Sequence, residues 1–277
     1  MHPANCLNCY QPLATGQSYC AHCGQKAAIH RITLAHFFHE GFHAFTHADK
    51  GIFHLLKQLA LQPGTVAREY MAGQRKKYFN PFTFFLLVMA VFVLSNSIFT
   101  KTGPILEPDP AILARIPSEA GRQQYIATIG RAATASGFMS KHGNLVAMIA
   151  LPFISGITWL FFRRKGYNYA EHLTANMLFI AFNNLFFGLL IFPLQSLLRG
   201  TPGYFYIVLA GLLLHALYLM WGMNGFLLLR TTGLRLRSFG VSLLAIGGWA
   251  LFSLLMVSLY ISQSWYFYRY FLRMFGH

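Results

Sequence analysis

Residues 81–100 read PFTFFLLVMAVFVLSNSIFT. Twenty residues without a charge are about what a helix needs to cross the hydrocarbon core of a bilayer. In lipid every backbone N–H and C=O must be bonded within its own segment, so the stretch is read as a helix. Four more stretches share its character: residues 143–162, 173–198 (with Pro193 near the end), 204–229 and 240–263. Together they predict an all-α integral membrane protein of about five transmembrane helices. Composition agrees: of 277 residues, 55% are hydrophobic and 10% charged, against about 25% charged in ordinary soluble domains.

The chain divides into a Cys-rich segment, 1–26, a mixed segment, 27–80, and the apolar region, 81–277. No internal repeat or low-complexity tract stands out. The four cysteines all fall at the start, as Cys6-Leu7-Asn8-Cys9 and Cys20-Ala21-His22-Cys23-Gly24. Each CxxC bends two thiolates toward one point, and two such knuckles complete a tetrahedral four-sulfur site. A small zinc ribbon is the expected fold, with Zn2+ in a closed, structural role; an iron centre and redox dithiols are the alternatives. So short a segment depends on its metal for folding. Its expected task is docking, on the protein's own face or on a partner. Gly24 suits the positive φ that follows a knuckle. Tyr10 holds the matching place after the first knuckle, where glycine is common.

No apolar run precedes the cysteines, so a secretory signal is not expected and the cysteines are placed in the reducing cytosol. The cations agree. Residues 1–80 carry eight Lys and Arg, Arg163-Arg164-Lys165 lie between the second and third spans, and Arg230, Arg235 and Arg237 between the fourth and fifth. These segments share one side, which the positive-inside rule puts in the cytoplasm, with the C-terminus outside. The other side holds the loop 101–142, its first half broken by Pro104, Pro108, Pro110 and Pro117 and its second half, about Ser118 to Ala135, read as a short helix. It is read as a cap on the bundle.

The formal net charge of +15 is compatible with nucleic acid, acidic proteins or anionic lipid. The cations flank apolar runs, which favours the bilayer, and nucleic acid is not the expected partner. Arg75-Lys76-Lys77, just before the first span, is the expected site for anionic lipid headgroups.

His36, His39, His43 and His47 fall within roughly 80° of one another on a helix, opposite Phe38, Phe42 and Phe45. This predicts an amphipathic linker helix, whose imidazole face is either merely wet, a second metal site or a pH sensor. Within the spans, Glu171, His172, Asn176, Asn183 and His215 form a candidate intramembrane polar site. The plainer reading is interhelical hydrogen bonding. Glu171-His172 is the best candidate there for a charge-bearing pair.

The chain resembles a bacterial family of membrane proteins, the domain-of-unknown-function 3667 family. The resemblance rests on Cys23-Gly24-Gln25, Arg31-Ile32-Thr33, Asp49-Lys50-Gly51, Pro63-Gly64, Tyr70 with Gly73 to Tyr78, and Tyr169-Ala170-Glu171-His172-Leu173. It implies a zinc ribbon on a transmembrane bundle in the bacterial inner membrane, and no activity. With no nucleotide loop, Ser-His-Asp set or paired catalytic carboxylates, an enzyme is not the expected reading. The leading expectation is a non-enzymatic membrane protein whose ribbon and basic linker dock a cytosolic protein or anionic lipid. A transporter using the polar residues comes next, then a membrane enzyme acting on lipid.

Overall fold

The structure is a computed structural model that describes residues 5–29, 31–34, 51–99 and 107–263. Its helices are α1 (Ile52–Leu61), α2 (Pro63–Met71), α3 (Pro81–Phe99), α4 (Pro110–Arg115), α5 (Glu119–Phe162), α6 (Tyr169–Phe186), α7 (Phe192–Leu197), α8 (Gly203–Phe226) and α9 (Thr232–Ser262). A five-residue π-helical stretch, Phe187–Ile191, joins α6 to α7. Among the described residues the only β pairing is two isolated bridges in the Cys-rich segment.

Helix starts are set locally. The Asn80 side chain accepts from the N–H groups of Phe82 and Thr83 at 2.9 and 3.2 Å. Pro81 follows in the first helical position, where a missing N–H is harmless. Asp109 with Pro110 repeats this at α4, and Ser118 and Thr231 cap α5 and α9. At α6 the cap is reciprocal: Asn168 accepts from the Glu171 N–H, and the Glu171 carboxylate accepts from the Asn168 N–H, a capping box.

Among the described residues, five helical stretches are long and apolar enough to cross a membrane: Pro81–Phe99, Lys141–Lys165, Tyr169–Leu197, Gly203–Phe226 and Thr232–Ser262. The chain is a multi-pass, all-α membrane protein. The last span starts at Thr232 rather than near 240, because Thr231 caps it and Arg235 and Arg237 ride in its first turns. The second span continues backward. Residues 119–162 form one 44-residue helix, broken in geometry at His142 (φ −120°, ψ 22°). After Pro117 nothing in the sequence stops a helix, so most of the expected loop is helical. Arg131 Nε donates to the Ile261 carbonyl at 2.7 Å, laying this extension along the last turn of α9.

The π-helical stretch has a local cause. Proline brings no N–H and clashes with the carbonyl four residues back, so a wider turn relieves Pro193. In that wider register the donor to the Gly188 carbonyl would be residue 193, which has none. The Ser95 hydroxyl of α3 supplies it instead.

Helices α1 and α2 join the same core as the spans. Leu55, Leu59, Val66 and Ala67 have no exposed surface. Tyr218 of α8 donates to the Leu59 carbonyl at 2.9 Å, and Arg68 of α2 donates to the Gly225 carbonyl at 2.6 Å. The tightest point is Gly64 against Gly225. A Cβ on Gly64 would lie 2.4 Å from the Gly225 Cα and from the Phe226 nitrogen. This explains Pro63-Gly64: proline starts α2, and glycine lets its backbone touch that of α8.

Candidate metal centre

The two knuckles are copies of one another, offset by 14 residues (5 to 19, 12 to 26): Asn5 bridges Pro12 as Tyr19 bridges Lys26. The Cys6 N–H donates to the Gln11 carbonyl and the Cys20 N–H to that of Gln25, both at 2.8 Å. The Tyr10 and Gly24 N–H groups return to the carbonyls of Cys6 and Cys20, both at 2.9 Å. This short repeat is hidden in the sequence because few side chains match. Tyr10 takes φ 63° where Gly24 takes 71°, at a cost of roughly 1–2 kcal/mol for a residue with a Cβ.

All four Sγ atoms lie within 4.8 Å of one another. Cys6 to Cys23 and Cys9 to Cys20 are each 3.6 Å apart. That is far too long for a disulfide, and close to the edge of about 3.8 Å of a tetrahedron with metal–sulfur bonds of about 2.3 Å. The donor set therefore fits a metal ion. Backbone N–H groups of Cys23 and His22 pull the Cys20 thiol down to about 6, as suits a thiolate ligand. Cys9 is pushed up to about 12. The Gln11 N–H pulls it down, but burial and the other three sulfurs outweigh that pull.

The module packs on its own chain. Gln74 Nε2 donates to the Tyr10 hydroxyl at 2.7 Å, and the Lys76 N–H donates to Gln25 Oε1 at 3.1 Å. Gly73, at φ 103°, admits Leu7; a Cβ there would meet its Cδ1 at 2.9 Å. The basic segment is thus partly committed. Lys77 Nζ pairs with Glu69 at 2.6 Å, and the Tyr78 hydroxyl donates to the same oxygen at 2.5 Å. The Arg75 guanidinium lies 5.9 Å above the Tyr70 ring. Burial raises the Glu69 pKa, but the bonds from Lys77 and Tyr78 outweigh it and hold the carboxyl below its usual range. Burial and Glu69 push the Tyr78 phenol up.

Beyond the ribbon, residues 31–34 strap onto the start of α6. Arg31 Nε and Nη2 grip the two Glu171 oxygens at 2.7 and 2.6 Å, and Nη2 also donates to the Gly166 carbonyl. Asn168 Nδ2 donates to the Ile32 carbonyl at 3.0 Å. The Glu171 carboxylate holds Arg31 above its ordinary pKa. Glu171 is therefore both cap and counter-ion.

His172, the next residue, turns away into a polar node between α5 and α6. Asn176 Nδ2 donates to Thr158 Oγ1 at 2.8 Å and to Ser155 Oγ at 3.2 Å; Thr158 Oγ1 donates to the Ser155 carbonyl at 3.1 Å. His172 Nδ1 lies 3.3 Å from Thr158 Oγ1. That hydroxyl has spent its one proton, so the contact requires an Nδ1–H tautomer. Nε2 is then a bare acceptor, and it and Asn176 Oδ1 are buried without a partner.

Glu171 and His172 thus serve different networks rather than one charge-bearing pair. His172 and Asn176 converge. Among the described residues no recorded bond joins Asn183 or His215 to them; Asn183 Nδ2 and His215 Nε2 are buried without a partner, and His215 lies near Phe187. The histidine stripe of 36, 39, 43 and 47 lies outside the described residues. Sequence reasoning had Arg31 only as part of a family motif, without its partner, and missed Ser155 and Thr158. The one signal for the last two is their i, i+3 spacing on an otherwise apolar span.

No curated protein and no solved structure matches this chain. Residues 49–93 hold the Pro63-Gly64 start of α2, Tyr70 and the segment from Gly73 to Tyr78 on which the ribbon packs, and over them the chain matches the family model described as Protein of unknown function (DUF3667).

Proposed function

We propose that this is a docking protein of the bacterial cytoplasmic membrane. Its N-terminus lies in the cytosol and its C-terminus outside. The four cysteines hold one structural Zn2+, and the ribbon with the basic segment after it presents a cationic face to an acidic cytosolic protein or anionic lipid. One observation carries this reading. The Arg163-Arg164-Lys165 tract, Arg235 and Arg237 lie at the same end of the bundle as the ribbon, joined through Arg31 to Gly166 and Arg237 to the Phe161 carbonyl. The described carboxylates at that end, Glu69 and Glu171, are already paired with Lys77 and Arg31. Among the described residues the positive charge of these five is left uncompensated by carboxylates, and such charge seeks an anionic partner.

The ribbon's role is to shape this face. It packs on Gly73, Gln74 and Lys76, so a closed four-sulfur site stabilises the loop that carries the cations. The test is crosslinking of the full-length protein in its own membrane, with Cys20→Ser and Lys76→Glu variants. Loss of a crosslinked protein or anionic-lipid adduct in both, with the bundle still inserted, supports docking. Adducts unchanged in both would sink it.

A second reading, transport, is favoured by the bare acceptors His172 Nε2 and Asn176 Oδ1, a costly arrangement in a span. It predicts a flux in proteoliposomes that Asn176→Leu abolishes. An acid–base role for Glu171 in a lipid enzyme is disfavoured, because its carboxylate is held by Arg31 and the Asn168 N–H.

A further inference from the structure

Between α8 and α9, close to their junction, lies an open groove of about 730 Å³, within the roughly 300–1,000 Å³ span of small-molecule sites. Its long wall is mostly apolar, with Leu217, Trp221, Leu236 and Phe239 and one amide, Asn224. Leu217, Trp221 and Leu236 are 39, 44 and 70% exposed, yet they sit on helices apolar enough to span a bilayer. In a membrane such a surface is covered by acyl chains rather than water. The end of the groove is different in kind, for Arg230, Thr232 and Arg235 close it.

Arg235 gives its Nε–H to the Leu229 carbonyl at 3.2 Å, which fixes the guanidinium at the rim. That uses one of five N–H groups. Among the described residues neither arginine has an acidic partner. The positive end of α9 opens at the same place and adds to the field.

We propose that this groove binds one anionic phospholipid, with an acyl chain along Trp221, Leu217 and Phe239 and the phosphate between Arg230 and Arg235. Basic pockets between membrane helices are suited to such headgroups. A zwitterionic lipid brings its own cation beside two unneutralised arginines, so headgroup charge should decide occupancy. A second copy of the chain docked by two-fold symmetry would set these arginines against themselves. The site does not depend on the metal centre and lies apart from it.

The test uses the full chain with Trp159→Phe, Trp249→Phe and Trp265→Phe, which leaves Trp221 as the single tryptophan of the four. The protein is reconstituted in phosphatidylcholine vesicles containing a minor fraction of phosphatidylglycerol. Bromine is placed on the acyl chains of one lipid or the other. Brominated phosphatidylglycerol should quench Trp221 several-fold more than its mole fraction predicts. Arg230→Gln with Arg235→Gln should remove the excess and leave quenching by brominated phosphatidylcholine intact. Quenching in proportion to mole fraction, or an excess that survives the arginine substitutions, overturns the proposal. So does protection from both lipids, the sign of a second copy in the groove. If the tryptophan variants fail to insert, native mass spectrometry of the otherwise unaltered protein decides. Retained phosphatidylglycerol should be lost on changing the two arginines, and retention unchanged by them overturns the site.

Discussion

Arg31 and Glu171 meet in a two-pronged ion pair although 140 residues separate them in sequence. Arg31 is 56% exposed and Glu171 6%, so the partners are not equivalent. Removing the arginine strands a buried carboxylate; removing the carboxylate frees a cation that water can solvate. Arg31→Met should therefore cost more than Glu171→Gln, with about 1–3 kcal/mol lost. The double variant should be less damaged than the sum of the two by about 1 kcal/mol or more. Thermal unfolding in detergent measures all three, and strict additivity would refute the coupling.

The four-sulfur centre should hold one zinc per chain by elemental analysis. Stripping it with a chelator should expose the first 34 residues to protease while residues 81–263 stay protected. The reason is that so small a fold depends on its metal. Iron in place of zinc would overturn the identity of the metal. An unchanged digestion pattern would overturn its structural role.

At the crossing of α2 and α8, Gly64→Ala places a methyl group 2.4 Å from backbone atoms that cannot swing aside. The helices must separate, which should cost about 3 kcal/mol or more. Gly156→Ala is the control, because its added Cβ meets nothing within 4 Å. That change should be neutral or stabilise by roughly 0.5–1 kcal/mol. Equal melting temperatures for the two variants would contradict the close approach.

Glu69 has a depressed pKa in the folded protein. Its pairing with Lys77 and Tyr78 therefore stabilises fully above the unfolded carboxylate value of about 4.3. The contribution fades as pH falls through the lower folded value. Glu69→Gln should melt a few degrees below the parent, about 2–4 °C, at neutral pH. The gap should narrow below the unfolded value and close as pH falls through the lower folded one. A gap independent of pH would mean that charge is not the source.

Much of this was legible in the sequence because it is local. CxxC spacing brings sulfurs together, and long apolar runs make spans. What escaped was set by distant partners. Glu171 reads as a lone acid at the edge of a membrane span until Arg31 is seen beside it. Gly64 reads only as half of a short motif until Gly225 is found against it. Tyr10 breaks the glycine pattern, yet its hydroxyl reaches Gln74, a contact no spacing announces. The helix expected near Ser118 to Ala135 was legible; its continuation through Lys141 into the second span was not.

The strap also sets an order of events during synthesis. The cysteine module and Arg31 leave the ribosome well before the third span exists. The arginine must wait, solvated, while two spans are threaded into the membrane. It can close only when Asn168 and Glu171 emerge and begin their helix. Closure of the strap is thus a late step of biogenesis, and a chain arrested after the second span would carry a finished cysteine module with nothing to latch.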